Sequence, residues 1–119
     1  MITQAVRGAV QIPGDNREDI RKGVAEVLKK LLEENRLTPE DLVSIQFTVT
    51  GDLVSLNPAA ALRTGGYGEV PLFCAREPEY PDSLPRMIRV LLTFQVPEKI
   101  RAVPVYLDGA EKLRPDLFS

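Results

Sequence analysis

The chain of 119 residues is long enough for one domain with a hydrophobic core and too short for two ordinary domains. Its content of 44% hydrophobic and 27% charged residues is that of a globular protein and argues against extensive disorder. The 15 basic and 17 acidic residues give a formal net charge of -2, without the basic excess typical of nucleic-acid-binding proteins.

The chain has no histidine and a single cysteine, Cys74. This composition excludes histidine-based triads, zinc sites built from histidine or paired cysteines, Cys-x-x-Cys redox pairs and an intrachain disulfide. A lone thiol suits a reducing compartment, residues 1–4 lack the features of a signal peptide, and no apolar stretch is long enough to cross a bilayer. We therefore expect a soluble, cytoplasmic protein that binds neither membrane nor nucleic acid.

The first half of the chain predicts a strand, a long helix and a second strand. Residues 2–12 fit a strand that carries Arg7, and the turn at 13–16 supplies Asn16 as helix N-cap with Asp19 three positions later. Apolar residues recur at helical spacing over residues 17–35, which indicates one amphipathic helix laid on a sheet. Thr38 and Pro39 begin a short helix, and residues 44–50 alternate as a strand.

The second half predicts short elements around one central strand. Asn57 and Pro58 open a short helix over residues 58–63, residues 70–74 form a third strand, and three prolines make residues 78–85 an irregular loop. The apolar run 87–94 is a central strand, followed by a last strand near residues 103–107 and a tail, 108–119. Helices and strands interleave without a strict βαβ rhythm, so we predict a single α+β domain with a mixed sheet and helices on one face.

Arg89 stands in the middle of the central strand, with Met87, Leu91 and Thr93 on its face of the sheet. Removing a guanidinium from water is unfavourable unless something anionic meets it, so Arg89 needs an acidic partner or an anionic ligand. On this strand alone, a structural ion pair or an edge strand whose arginine reaches solvent is favoured over a ligand site. The sheet face away from the helices also needs a cover, which oligomerisation would supply.

Few polar residues are placed on or just after the strands: Arg7, Cys74, Glu77, Arg89 and Tyr106. Two guanidiniums, a carboxylate, a phenol and a thiol suit the binding and polarising of a small carboxylate-bearing molecule better than hydrolysis. Each has a structural alternative. Glu77 could pair with Arg76 or Arg86, Tyr106 could be a core residue, and Cys74 could be inert packing.

The separate segments also match one family in the right order. They are Val-Arg-Gly-Ala at 6–9, Phe-Thr-Val-Thr-Gly-Asp-Leu at 47–53 with Pro-Ala at 58–59, Val-Pro at 70–71 with Cys74 and Glu77, Ser-Leu at 83–84 with Ile-Arg-Val at 88–90, and Val-Tyr-Leu at 105–107 with Leu-Arg-Pro-Asp-Leu at 113–117. Together they resemble the AroH class of chorismate mutase, the small trimeric α/β type.

This resemblance implies an isomerase of aromatic amino acid biosynthesis, in the shikimate pathway, that converts chorismate to prephenate. It further implies a homotrimer that assembles as a pseudo-α/β-barrel, with active sites at the subunit interfaces and no cofactor or metal. By the same matching, Arg89 and Glu77 would be catalytic. The residues that would contact substrate are Arg7, Phe73, Cys74, Tyr106, Arg63 from the adjacent subunit, and Arg114 from the tail, which the resemblance implies to be mobile.

The sequence departs from the family pattern at Asn57, Ala60 and Phe73, and Pro104 is awkward inside a strand that should carry Tyr106. Two other functions stay open at this point. One is a non-catalytic trimer that binds a small carboxylate metabolite, and the other is an imine deaminase on a similar trimeric architecture.

Overall fold

The computed structural model describes residues 1–63 and 65–117. The strands are β1 (Ile2–Gln11), β2 (Leu42–Val49), β3 (Leu72–Arg76), β4 (Met87–Val96) and β5 (Val105–Leu107), the α-helices are α1 (Arg17–Asn35) and α2 (Pro58–Leu62), and 3-10 helices span Pro39–Asp41, Ala110–Leu113 and Pro115–Leu117. The five strands form one sheet in the order β3-β2-β4-β1-β5. The central strand β4 runs antiparallel to β1 and β2, whereas each edge strand is parallel to its neighbour. The predicted mixed sheet is therefore confirmed.

Local chemistry sets where α1 begins. The Asn16 side chain accepts a hydrogen bond of 2.8 Å from the backbone N–H of Asp19, as the sequence predicts. The helix ends at Arg36, whose left-handed backbone lets its N–H reach the last carbonyls of the helix. Its apolar stripe is buried against the sheet through Ile20, Val24, Val27, Leu28 and Leu31.

Two glycines let α1 approach β1 closely. A Cβ at Gly23 would lie 2.4 Å from Cδ1 of Ile12, and a Cβ at Gly8 would lie 2.8 Å from Cδ1 of Leu31. Gly8 thus belongs to the helix-covered face of β1. Because side chains alternate along a strand, Arg7 is directed to the opposite face.

The structure corrects several predicted boundaries. β3 begins at Leu72, not at residue 70, and β5 begins at Val105, not at residue 103. Pro71 and Pro104 stand just before these strands, and a proline has no N–H to donate to a ladder. Pro71 contributes only its carbonyl, which accepts from the N–H of Ile45 at 2.9 Å. β4 continues two residues past its predicted end, to Val96, and α2 ends one residue early, at Leu62.

The sheet face opposite α1, which we call the second face, is partly covered by the chain's own C-terminal segment. Ala9, Met87, Tyr106 and Ala110 form a small buried cluster there, to which Leu84 and Leu113 add half-buried side chains. The predicted mobile tail contains two of the 3-10 helices, and residues 118–119 lie outside the described residues. The rest of this face includes the exposed Leu91 and Phe73. No helix in the described ranges is both long and apolar enough to span a membrane.

Candidate active site

Cross-strand register gathers polar side chains on the second face of the sheet. One row across the strands joins Tyr106, Ala9, Arg89, Thr48 and Ala75. The adjacent row joins Arg7, Leu91, Gln46 and Phe73. Arg7 and Arg89, which are 82 positions apart in sequence, therefore lie in neighbouring rows of one surface.

A cleft of about 480 Å³ lies over these rows. Its polar lining comes from Arg7, Gln46, Thr48, Arg89, Tyr106 and Arg114, and its apolar lining includes Leu91 and Leu113. The structure thus brings together four of the residues that the sequence analysis assigns to the site. Arg7 forms no ion pair with a carboxylate in residues 1–63 or 65–117, so its charge is available to an anion in the cleft.

Glu77 is the acidic partner of Arg89. Its Oε1 lies 3.2 Å from Nε of Arg89 and also accepts a hydrogen bond from the hydroxyl of Thr48. The alternative in which Glu77 pairs with Arg76 or Arg86 is wrong. Arg76 instead donates to the Gly51 carbonyl at 3.2 Å, and Arg86 donates to the Ile12 carbonyl at 2.8 Å.

Arg114 reaches the cleft from the C-terminal segment, where Asp116 holds it. Two hydrogen bonds of 3.1 and 2.9 Å join Nε and Nη2 of Arg114 to the two carboxylate oxygens of Asp116. This hydrogen bonding and the charge of Asp116 raise the pKa of Arg114 above its ordinary value, with a smaller contribution from Tyr106. The hydrogen bond from Arg114 in turn holds the pKa of Asp116 below its ordinary value. A fork-shaped pairing of this kind is the geometry in which arginine binds a carboxylate.

Arg63, Phe73 and Cys74 do not line this cleft in the described part of the chain. Arg63 is exposed just after α2, and Phe73 is 64% exposed on the edge strand β3. Cys74 is in register with Phe47 and packs against the main hydrophobic core, away from Arg89. Burial raises the pKa of its thiol, so the thiol is neutral and a poor nucleophile at neutral pH.

Sequence reasoning missed three polar residues of this site: Gln46, Thr48 and Asp116. The first two could have been found, because the alternation of β2 places them opposite the buried Ile45 and Phe47, and so on the face that carries Arg89. Asp116 gave no such signal, since its role depends on the conformation of an irregular segment.

The fold and the cleft define a class of protein: a small α+β domain with arginines and a tyrosine in one cleft and a paired carboxylate beside it, a set of groups suited to an anionic small molecule. A family model described as chorismate mutase type I matches residues 3–117. The chain belongs to this family.

Individual relatives agree with that assignment. The chain is 43% identical over 120 residues to chorismate mutase AroH of Thermus thermophilus, covering 99% of this chain and 98% of the relative. It is 38% identical over 121 residues to chorismate mutase AroH of Bacillus subtilis (strain 168), covering 98% and 94%. A solved chorismate mutase structure from Clostridium thermocellum superposes with a TM-score of 0.87 at 34% identity, covering 92% of this chain and 98% of that one.

Proposed function

We propose that this protein is a chorismate mutase, which converts chorismate to prephenate by a Claisen rearrangement. The observation that carries the proposal is the position of Arg89 in the cleft with Arg7, beside the carboxylate of Glu77. Membership of the chorismate mutase type I family supports the same activity. No observation favours an imine deaminase or a non-catalytic binder.

The rearrangement is unimolecular and needs only positioning and electrostatic stabilisation from the protein. An ether C–O bond breaks while a C–C bond forms, and negative charge accumulates on the ether oxygen. In the proposed mechanism the Arg89 guanidinium faces that oxygen and stabilises the charge as it develops. A preorganised donor of this kind contributes about 3–4 kcal/mol of transition-state stabilisation. Binding the compact, reactive conformer in the cleft supplies the remaining advantage.

Glu77, which lies beside the cleft, and the residues that line it have proposed roles in holding the substrate. Glu77 accepts a hydrogen bond from the ring hydroxyl, while Arg7 binds one carboxylate with help from Tyr106. Arg114 lines the same cleft and is the candidate to hold the dianion from the C-terminal side. Guanidinium groups bind carboxylates with two parallel hydrogen bonds, which fixes both position and orientation.

We further propose that the protein is a homotrimer, arranged as a pseudo-α/β-barrel, with active sites between subunits. The exposed apolar side chains of Phe73 and Leu91 on the sheet face support burial by another subunit. In this assembly Arg63 contacts substrate bound in the cleft of the neighbouring subunit, and the exposed Phe73 is a further proposed substrate contact. The Cys74 side chain packs against the hydrophobic core, so no substrate contact is proposed for it. A cytoplasmic location is proposed on the basis of the unpaired Cys74 thiol.

The test is to follow the loss of chorismate absorbance with purified protein beside a blank without enzyme. We expect fast loss, with acid-convertible prephenate as the product. Loss no faster than the blank would contradict the proposed activity, and a coupled enamine assay would then test the imine deaminase. Light scattering after size-exclusion chromatography tests the assembly separately, with a mass three times that of the 13.2 kDa chain expected.

A further inference from the structure

Thr48 occupies the position between the two proposed catalytic residues. It lies on β2, which separates β3 from β4 in the sheet. Its cross-strand partners are Arg89 on one side and Ala75 on the other. The half-buried side chain lines the cleft, and its hydroxyl donates a hydrogen bond to Oε1 of Glu77.

The hydrogen bond from Thr48 restrains the side chain of Glu77, which otherwise contacts only Arg89 through its carboxylate in the described part of the chain. Glu77 follows the last residue of β3, and its backbone N–H is fixed by a bond of 2.8 Å to the Val49 carbonyl. The rest of the glutamate side chain has several rotatable bonds, whose freedom opposes any single orientation. The Thr48 hydroxyl and the Arg89 guanidinium both bind Oε1, so together they select one rotamer.

The same arrangement leaves the second carboxylate oxygen of Glu77, Oε2, unused by Thr48 and Arg89. Among the described residues, no donor is bonded to Oε2 of Glu77. An ionised carboxylate accepts several hydrogen bonds, so Oε2 retains the capacity to accept one from a substrate hydroxyl. Holding Oε1 thereby determines which oxygen meets the substrate.

We propose that Thr48 is a positioning residue, which acts by orienting the Glu77 carboxylate against Arg89 and toward the bound substrate. This inference rests on the proposed chorismate mutase activity. If Thr48 had only a structural role, that role would depend on its β-branched shape in the strand, and valine has the same shape. The hydroxyl is therefore the feature to test.

The experiment compares Thr48→Val with Thr48→Ser in chorismate turnover and in thermal unfolding. The valine variant keeps the shape and loses the hydroxyl, whereas the serine variant keeps the hydroxyl and loses the methyl group. A hydrogen bond to a charged group corresponds to a change of roughly ten- to a hundredfold, so we expect kcat of Thr48→Val to fall by that factor, with a smaller change in KM. We expect Thr48→Ser to stay close to wild type, and both variants to melt near the wild-type temperature.

A double-mutant cycle with Glu77→Ala separates positioning from a general effect on the site. If Thr48 acts through Glu77, Thr48→Val causes little further loss once the carboxylate is absent. Wild-type kcat in Thr48→Val, an equal loss in Thr48→Ser, or a full additional loss in the Glu77→Ala background would each overturn the inference. If the valine variant fails to fold, a loss of kcat in Thr48→Ser still overturns the inference, because that variant keeps the hydroxyl. An inactive wild-type protein would instead reject the proposed activity, and the inference with it.

Discussion

Arg89 and Glu77 meet across an intervening strand. Nε of Arg89 on β4 lies 3.2 Å from Oε1 of Glu77, which follows β3, and β2 stands between those two strands in the sheet. The Arg89 side chain is 50% exposed and that of Glu77 is 17% exposed, so the arginine end of the pair is open to water and the glutamate end is mostly buried. Because one end is solvated, the pair contributes on the order of 1 kcal/mol to stability, a small part of what holds the fold together.

Replacing Arg89 by alanine should therefore leave the protein folded and remove most of its activity. We expect chorismate turnover to fall by several orders of magnitude, because the developing charge on the ether oxygen loses its fixed cation. Arg21→Ala is the matched control, since Arg21 is exposed on α1 and its one ion pair among residues 1–63 and 65–117 is with Glu18 at 3.2 Å. Turnover by Arg89→Ala at the wild-type rate would refute the electrostatic role.

Arg7 should contribute mainly to substrate binding. Loss of its hydrogen bonds to a substrate carboxylate in Arg7→Ala should raise KM by roughly ten- to a hundredfold. Arg7→Lys keeps the charge but loses the planar fork, so its KM should lie between those of wild type and the alanine variant. Steady-state kinetics measure both. An unchanged KM in Arg7→Ala would show that this guanidinium does not contact substrate.

Asp116 should compete with a substrate carboxylate for Arg114, because it already occupies the guanidinium with two hydrogen bonds. The Arg114–Asp116 pair is exposed and therefore weak, so releasing Arg114 in Asp116→Asn should lower KM by no more than about fivefold. Arg114→Ala should raise KM instead. If Asp116→Asn and Arg114→Ala changed KM in the same direction, that result would contradict the competition.

The same contact should depend on pH in acid. The pKa of Asp116 is lowered in the folded state, so the carboxylate stays ionised and the contact intact through neutral pH. The contact weakens only as the pH falls through that lowered pKa. The kinetic difference between Asp116→Asn and wild type should therefore persist at pH 6 to 8.

Asn35 should matter for stability and not directly for chemistry. It is 6% exposed, donates to the carbonyls of Leu31 and Val103 at 2.8 and 3.0 Å, and accepts from the N–H of Val103 at 2.7 Å. Asn35→Ala leaves buried polar groups without partners, and we expect a loss of about 1–3 kcal/mol in the free energy of unfolding, measured with urea. Glu34→Ala, at the exposed neighbouring position, should change it by less than about 0.5 kcal/mol.

Cys74 should react slowly with alkylating reagents. Burial raises the pKa of its thiol above the ordinary value of 9.0, and the thiolate is the reactive form. Iodoacetamide at pH 8, followed by mass spectrometry, should modify the folded protein more slowly than it modifies glutathione. Labelling as fast as the free thiol would show that Cys74 is exposed and activated.

Local interactions made much of the fold predictable. The N-cap of α1 needs only Asn16 and the residues just after it, and the apolar period of the helix identifies the face that it buries. The alternation in β4 likewise placed Arg89 on the face opposite Ile88, Val90 and Leu92. The resemblance to the AroH class added an ordered set of segments, and the family comparison confirmed it.

Strand ends and side-chain partners depended on longer-range structure. β3 and β5 start after prolines, because those residues cannot donate to the neighbouring strand. The position of Arg89 within a strand indicated that its guanidinium needs an anionic partner, but the sequence did not indicate which of the 17 acidic residues that partner is.

The amino-acid sequence by itself determined the elements, the faces of the strands and the family, because these follow from short-range periodicity and the order of motifs. Only the tertiary structure decided that Glu77 reaches over β2 to Arg89, that Thr48 holds it there, and that Asp116 holds Arg114. These contacts join residues from different strands or lie in an irregular segment, where no repeating pattern specifies the backbone and the side-chain direction follows from packing.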